Sequence, residues 1–439
     1  MDNMKENKIF ANAKWIILCK IAQSLLQLLI GMLTARYLGP ANYGLINYAK
    51  SVVAFAVPFT QLGLNATLVR ELIDTPEKEG EIMGTSLAMG LVSSFFCMTL
   101  VATFVSVANH TEPVTIVVCI LYSISLVFQA MELIQYWFHS KLHSKFPSIM
   151  MLCAYVVVSA YKIFLLASGK SIYWFAVVYS IEYGIVALSL LSIYRIQSQQ
   201  RLSVSFSMAQ RLFSKSRYYI LSSLMVTLFQ NTDHIMLKTM AGDVENGFYS
   251  SAITSAGVCQ FVYAAIIDSA RPVILAAKKS DSLKYEKNIS RLYCIITYLA
   301  LAQGVGFTLF ARLIVKILYG AEYLPAVPVL QILVWYIAFS QMGRIRNIWI
   351  LAEEKQKILW KINLLGALMN IAINACLIPV WGAAGAALAS LSTQIFTNFI
   401  LGFLLKPIRY NNRLLLQGLD LRILTELLQQ RIKDKETKE

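Results

Sequence analysis

The chain has 439 residues, of which 57% are hydrophobic and only 14% charged, and it carries a net charge of +15. That balance excludes a soluble globular protein, because apolar runs of about 20 residues read as membrane-spanning helices and their connections leave no room for a soluble domain. The positive charge calls for no nucleic acid, since an anionic inner leaflet attracts basic loops.

Twelve spans are predicted, near 15–35, 45–67, 84–106, 114–138, 148–168, 172–194, 218–240, 248–270, 292–314, 326–350, 357–379 and 383–405. With the N-terminus inside, 29 of the 39 basic residues fall in cytoplasmic segments, whereas the outer loops hold only Arg36, Lys170, Lys238, Arg312 and Lys316. Both termini are therefore expected to be cytoplasmic. The first span is too long for a signal-peptide core and is expected to remain.

Helix 1 carries Lys20, Ser24, Gln27, Gly31 and Thr34 in steps of four and three, so its polarity lies on one face, with Arg36 at its end. Helix 2 adds Asn47, Lys50, Ser51, Gln61 and Asn65, with Arg70 beyond, and Pro58 is expected to bend it. Helix 4 offers Ser125, Gln129 and Glu132. Lys162 and Glu182 lie in helices 5 and 6, and Glu182 is the charge nearest mid-helix. The polar, basic stretch 195–217 reads as a hinge between an N-lobe, 1–200, and a C-lobe, 201–407. Helix 7 repeats the rhythm of helix 1 with Ser223, Thr227, Gln230, His234 and Lys238, and it also carries Asp233. Asp243 and Glu245 read as turn residues. Asp268 and Arg271 follow in helix 8, and Arg344 and Arg346 in helix 10. In helix 11, Asn363, Asn370 and Asn374 read as amide glue between helices. Leucines at helical spacing in the tail, 408–439, predict an amphipathic helix on the inner leaflet.

Intramembrane charge costs at least about 2.5 kcal/mol, so each such residue faces water, meets a partner or reaches an interface. An internal repeat favours a wet face for helices 1, 2 and 7. Gly39, Gly44 and Ala49 recur as Gly242, Gly247 and Ala252, each 203 positions later. Ser24, Gln27, Asn47, Ser51 and Asn65 fall on Thr227, Gln230, Ser250, Thr254 and Asp268 by the same offset. Repeated halves with aligned polar residues point to a two-lobed transporter.

Other chemistry is sparse. The seven cysteines contain no CxxC pair and read as small hydrophobes. His139 and His143 lie on a basic loop and read as a solvated face, with no metal expected. Gly169-Lys170-Ser171 resembles only the end of a P-loop. The outer loops are too short for a catalytic constellation, so no enzyme and no cofactor are expected. Energy would come from an H+ or Na+ gradient or from downhill removal of the product.

With these residues in view, the chain resembles a polysaccharide-lipid flippase of the Wzx type, in the multidrug/oligosaccharidyl-lipid/polysaccharide (MOP) exporter superfamily. The resemblance rests on ARYLGPANYG (35–44), GLNATLVRE (63–71), NTDHIMLKTMAGDVENGFYSSA (231–252), ILYGAEYLPAVPVLQIL (317–333) and CLIPVWGAAGAALAS (376–390). It implies an all-α fold of two pseudo-symmetric six-helix lobes in a V, with helices 1, 2, 7 and 8 bordering a central cavity. It also implies a cargo, an oligosaccharide repeat unit on polyprenyl pyrophosphate, moved to the outer leaflet of a bacterial cytoplasmic membrane. The same resemblance implies work beside a polysaccharide polymerase and chain-length machinery for O-antigen, capsule or exopolysaccharide. For such a cargo the anion contacts would be Lys20, Lys50, Arg70, Arg271 and Arg344, supported by Ser24, Gln27, Asn47, Asn65, Gln230, His234 and Asp268. Arg36 and Asp233 stand at family-like positions. The rival within the superfamily is a drug/cation antiporter, which typically couples ions through a carboxylate in helix 1; here that helix has Lys20 and no Asp or Glu.

Overall fold

The computed structural model describes residues 2–141, 143, 145–423 and 425, and among them there are helices and turns but no strand. The side chains of 2–18, 20, 21 and 66 lie outside that description, and with them the Lys20 ammonium. Two compact units divide the chain, 1–247 and 248–439.

In the first unit, α1 (Asp2–Thr60) is two arms joined at Gly39, whose φ of 70° and ψ of 171° a side chain would strain. Pro40 opens the second arm, where its missing N–H costs nothing. Pro58 leaves that arm helical; it stands two residues before the helix ends, and the chain turns instead at Leu62 and Gly63, both with positive φ. Then come α2 (Leu68–Asp74) and α3 (Glu79–Ala108). The fourth expected span is broken into α4 (Pro113–Ser123), α5 (Ser125–Met131) and α6 (Gln135–Ser140). Ser123 and Ser125 bond back to the carbonyls of Ile120 and Tyr122 at 2.7 Å each, competing with the helical ladder at the first break. The unit continues with α7 (Lys145–Ala167), α8 (Ile172–Gln197) and α9 (Phe206–Ala241), and it ends within α10 (Asp243–Ala256). On α3, Val92, Phe95 and Phe96 are 60–73% exposed, an outward apolar face that only lipid would cover.

The α1–α9 seam is fixed at both ends by glycine. A Cβ on Gly44 would lie 1.9 Å from the Asp243 carbonyl oxygen, and one on Gly247 would lie 2.0 Å from that of Pro40. These pairs obey the 203-residue offset, and Gly242, with φ 91° and ψ 179°, repeats the conformation of Gly39. At the other end, Gly63 abuts the Ser216 carbonyl, and buried Glu71 is gripped by Arg211 at 3.0 Å and by Lys215. The stretch read as a hinge is docked. Gln200 Oε1 accepts from Gly80 N at 2.8 Å, and Ser203 N donates to Gly80 O at 3.2 Å.

In the second unit, α10 is followed by α11 (Gln260–Ser280), α12 (Ser282–Tyr319), α13 (Ala326–Ala352), α14 (Leu359–Ile395), α15 (Leu401–Leu404) and α16 (Arg409–Gly418). Asp281 caps α12, accepting from Leu283 N and Lys284 N at 2.9 and 3.1 Å. Gly382, φ 51°, divides α14 into two of the expected spans. Asn374 donates to Asn370 at 3.0 Å and both are buried, as helix glue requires. The tail is helical in α16, but its apolar face packs on protein. Leu414 and Leu415 are buried, and Tyr293 donates to Asn411 Oδ1 at 3.0 Å. The tail beyond residue 425 lies outside the described residues.

Among the described residues, eight helical stretches are long and apolar enough to cross a membrane. One of them, Gln356–Leu404, holds two expected spans, and the arms of α1 together with α9 account for the other three. The chain is a multi-pass membrane protein.

Candidate functional site

The first unit carries an unusual set of charges on its helical bundle. Lys50 lies on the second arm of α1, Lys162 on α7 and Glu182 on α8, none of them at a capping position. Lys50 is exposed, and Lys162 and Glu182 are half-buried. The Glu182 carboxylate is in electrostatic range of both ammonium groups, and Lys50 is in range of His234. Among the described residues, none of the three closes an ion pair inside 4 Å. Two lysines therefore keep hydrogen-bonding capacity for another anion.

Aromatic rings stand on the same helices. Tyr122 of α4 stacks on Tyr179 of α8 with ring centroids 4.4 Å apart, and Tyr179 and Tyr183 share a hydroxyl contact of 3.1 Å. Lys162 Nζ sits 5.7 Å from the centre of the Tyr155 ring, a cation–π contact. Glu182 occupies the same α8 turn as the tyrosine pair. Cations, one carboxylate and phenol edges are groups that hold phosphate and sugar: ammonium for the charge, ring faces for apolar sugar patches, hydroxyls for sugar oxygens.

About two turns along α1 from Lys50, a cavity of about 270 Å³ opens between α1 and α9. Gln61 and Asn65 line one wall, and Ser222, Ser223 and Thr227 the other. Asn65 and Thr227 were singled out by the repeat, and here they share one cavity.

The remaining sequence-predicted residues are distributed. Ser24, Gln27 and Gln230 are exposed on α1 and α9, and Asn47 turns its amide back onto the Tyr43 carbonyl at 2.8 Å. Arg36 precedes the second arm of α1 and Arg70 follows it. About 20 helical residues separate them, roughly 30 Å, so one diphosphate cannot meet both at once. Arg70 pairs with Asp74 at 3.4 Å on the surface. Asp233 is buried, and His234 Nδ1 lies 2.7 Å from Asn246 Oδ1. In the second unit, Asp268 and Arg271 form an exposed pair at 3.7 Å, and Arg344 donates to Gln341 at 3.3 Å. Exposed pairs of this kind contribute about 0–1 kcal/mol, so they leave their cations open to exchange. Arg346 does not snorkel. It is 5% exposed and donates to the Thr397 carbonyl at 2.6 Å, beside the π-helical turn Phe396–Ile400.

Lys162 and Glu182 are the functional candidates missing from the repeat-based set. Both were visible as intramembrane charges, but helices 5 and 6 carry no repeated polar register that would have tied them to Lys50. Among the described residues no group of three His, Cys, Asp or Glu side chains is placed to hold a metal.

The fold is that of known transporters. The lipid II flippase MurJ in an inward closed conformation matches with a TM-score of 0.72 at 14% identity, over 94% of this chain and 93% of that one. An inward-facing multidrug resistance MATE family transporter of the MOP superfamily matches at 0.68 and 13%, over 91% and 98%. A Vibrio cholerae MATE transporter matches at 0.59 and 13%, over 93% and 98%. No individually curated protein matches the sequence. The family described as polysaccharide biosynthesis protein matches residues 9–278, more than half of the chain. On the fold of the MOP superfamily, the chain belongs to the polysaccharide biosynthesis protein family.

Proposed function

We propose that the protein translocates polyprenyl-pyrophosphate-linked oligosaccharide repeat units from the cytoplasmic to the outer leaflet of a bacterial cytoplasmic membrane. The product would feed assembly of O-antigen, capsule or exopolysaccharide beside a polymerase and chain-length machinery. The observation that carries this reading is the Lys50–Lys162–Glu182 cluster. A pyrophosphate cannot enter hydrocarbon unaided, and paired ammonium groups replace its hydration. At about 4 Å and an effective dielectric of about 20, each ammonium–phosphate contact is worth about 4 kcal/mol before desolvation. The cavity between α1 and α9 offers amides and hydroxyls to the sugar, while the isoprenoid stays in the bilayer. Family membership and the lipid II flippase fold support the same cargo class.

In this reading both termini and the 271–291 segment are cytoplasmic, as the distribution of basic residues favours, and the turns at 36–47 and 238–247 then face outward. An H+ or Na+ gradient, or consumption of the product, supplies the energy. A drug/cation antiporter is disfavoured because helix 1 lacks a carboxylate and the cluster holds two formal positive charges against one negative. Deleting the gene should cause lipid-linked repeat units to accumulate while surface polysaccharide disappears. Unchanged lipid pools with altered sensitivity to cationic drugs would favour the antiporter instead.

A further inference from the structure

The segments that the proposed orientation places at the outer mouth are tied together by one buried lysine. Lys238, near the end of α9, donates to Glu112 Oε2 and to Asp243 Oδ2, both at 2.6 Å. Its side chain is 4% exposed, beneath carboxylates that are 44% and 26% exposed. The three residues stand on three segments: α9, the loop 109–112 and the first turn of α10. A lysine this close to a helix end would ordinarily extend its ammonium into water. This one is turned inward and held by two charge-assisted bonds, which are stronger than neutral ones.

We propose that Lys238 is a gating residue. With Glu112 and Asp243 it forms a clasp that holds α9 and the 242–247 turn against α1 and the 109–112 loop, and the clasp must part whenever the cavity opens outward. The proposal rests on the transport reading above. The clasp sits at the glycine crossing. Asn246 Nδ2 donates to the Gly44 carbonyl at 2.7 Å, and Gly44 and Gly247 permit close backbone approach. Bonds of this kind can break and re-form, whereas an apolar zipper would have to repack.

Tyr48 of α1 and Cys119 of α4 lie in electrostatic range of the clasp. The hydrogen bond from Lys238 holds the Glu112 carboxyl below its ordinary range, against the opposing effect of burial. Glu112 therefore grips above the ordinary carboxylate range and lets go only as pH falls through its depressed value.

The test uses the full chain in intact cells, with all seven native cysteines replaced and one cysteine introduced at Gln230, about two turns inward of Lys238. A membrane-impermeant maleimide reports access from outside. With the clasp intact, labelling should be slow; Glu112→Gln and Lys238→Met should each speed it about tenfold, and Lys238→Arg should keep it slow. Thr111→Cys should label rapidly in every background. Lys279→Cys should stay unlabelled, and labelling there would reverse the orientation and overturn an outer clasp. Glu112 lies on a half-exposed loop, so Glu112→Gln reports even if Lys238→Met fails to accumulate. Unchanged Gln230→Cys labelling in Glu112→Gln, with normal protein abundance, would reduce the clasp to a static staple and overturn the proposal. The readout needs no cargo, so a failed cargo assignment leaves it interpretable.

Discussion

Replacing Lys50 with glutamate is expected to abolish export of surface polysaccharide while leaving protein abundance near normal. Lys50 and Lys162 lie in the field of a single carboxylate, Glu182, two formal positive charges against one negative. Reversing Lys50 makes that formal balance negative. At roughly 6 Å and an effective dielectric of about 20, one unit charge is worth about 3 kcal/mol, so reversal would cost two or more orders of magnitude in occupancy by an anion. Lys50→Arg should retain partial function, because it keeps the charge but not the shape of the donor. Combining Lys50→Glu with Glu182→Lys restores the charge count and should recover part of the export. Full export by the Lys50→Glu variant would remove the cluster from the transport path.

Gly44→Ala and Gly247→Ala should each reduce export at least about tenfold and lower the unfolding temperature of the detergent-solubilised protein. The added methyl would meet backbone carbonyl oxygen at 1.9 and 2.0 Å, where real Cβ contacts essentially never fall below 3.0 Å, so α1 and the start of α10 must separate. That separation strains the Asn246–Gly44 bond and the neighbouring clasp together. Gly306→Ala is the control, since a Cβ there meets nothing within 4 Å. If all three variants behaved alike in thermal unfolding and export, the close crossing would have no role.

Much of the fold was legible because membrane helices announce themselves by length and hydrophobicity, and each of the twelve predicted spans is helical over most of its length. The 203-residue offset was more informative than composition. It matched Gly39 to Gly242, and the structure gives the two a similar positive-φ conformation. What could not be read were partners. Helical periodicity says which face is polar, never what that face meets, so Lys238 appeared as the end of a stripe although its partner Glu112 is 126 residues away. Asp243 looked like a turn residue for the same reason. Pro58 was expected to bend helix 2, but the arm runs helical through it and the chain turns only at Leu62 and Gly63. The tail leucines were read as an amphipathic helix on the inner leaflet; of that stretch α16 is helical and packs on α12, and amphipathicity alone cannot distinguish a lipid surface from the side of a helix.

The most direct measurement is translocation by the purified full chain in liposomes containing a lipid-linked oligosaccharide on a polyprenyl diphosphate, with sugar exposure on the far leaflet followed by digestion with an external glycosidase. The account predicts protein-dependent exposure that is lost with Lys50→Glu and recovered in part when Glu182→Lys is added. Exposure no faster than in protein-free liposomes, together with uptake of a cationic dye by the same preparation, would contradict it.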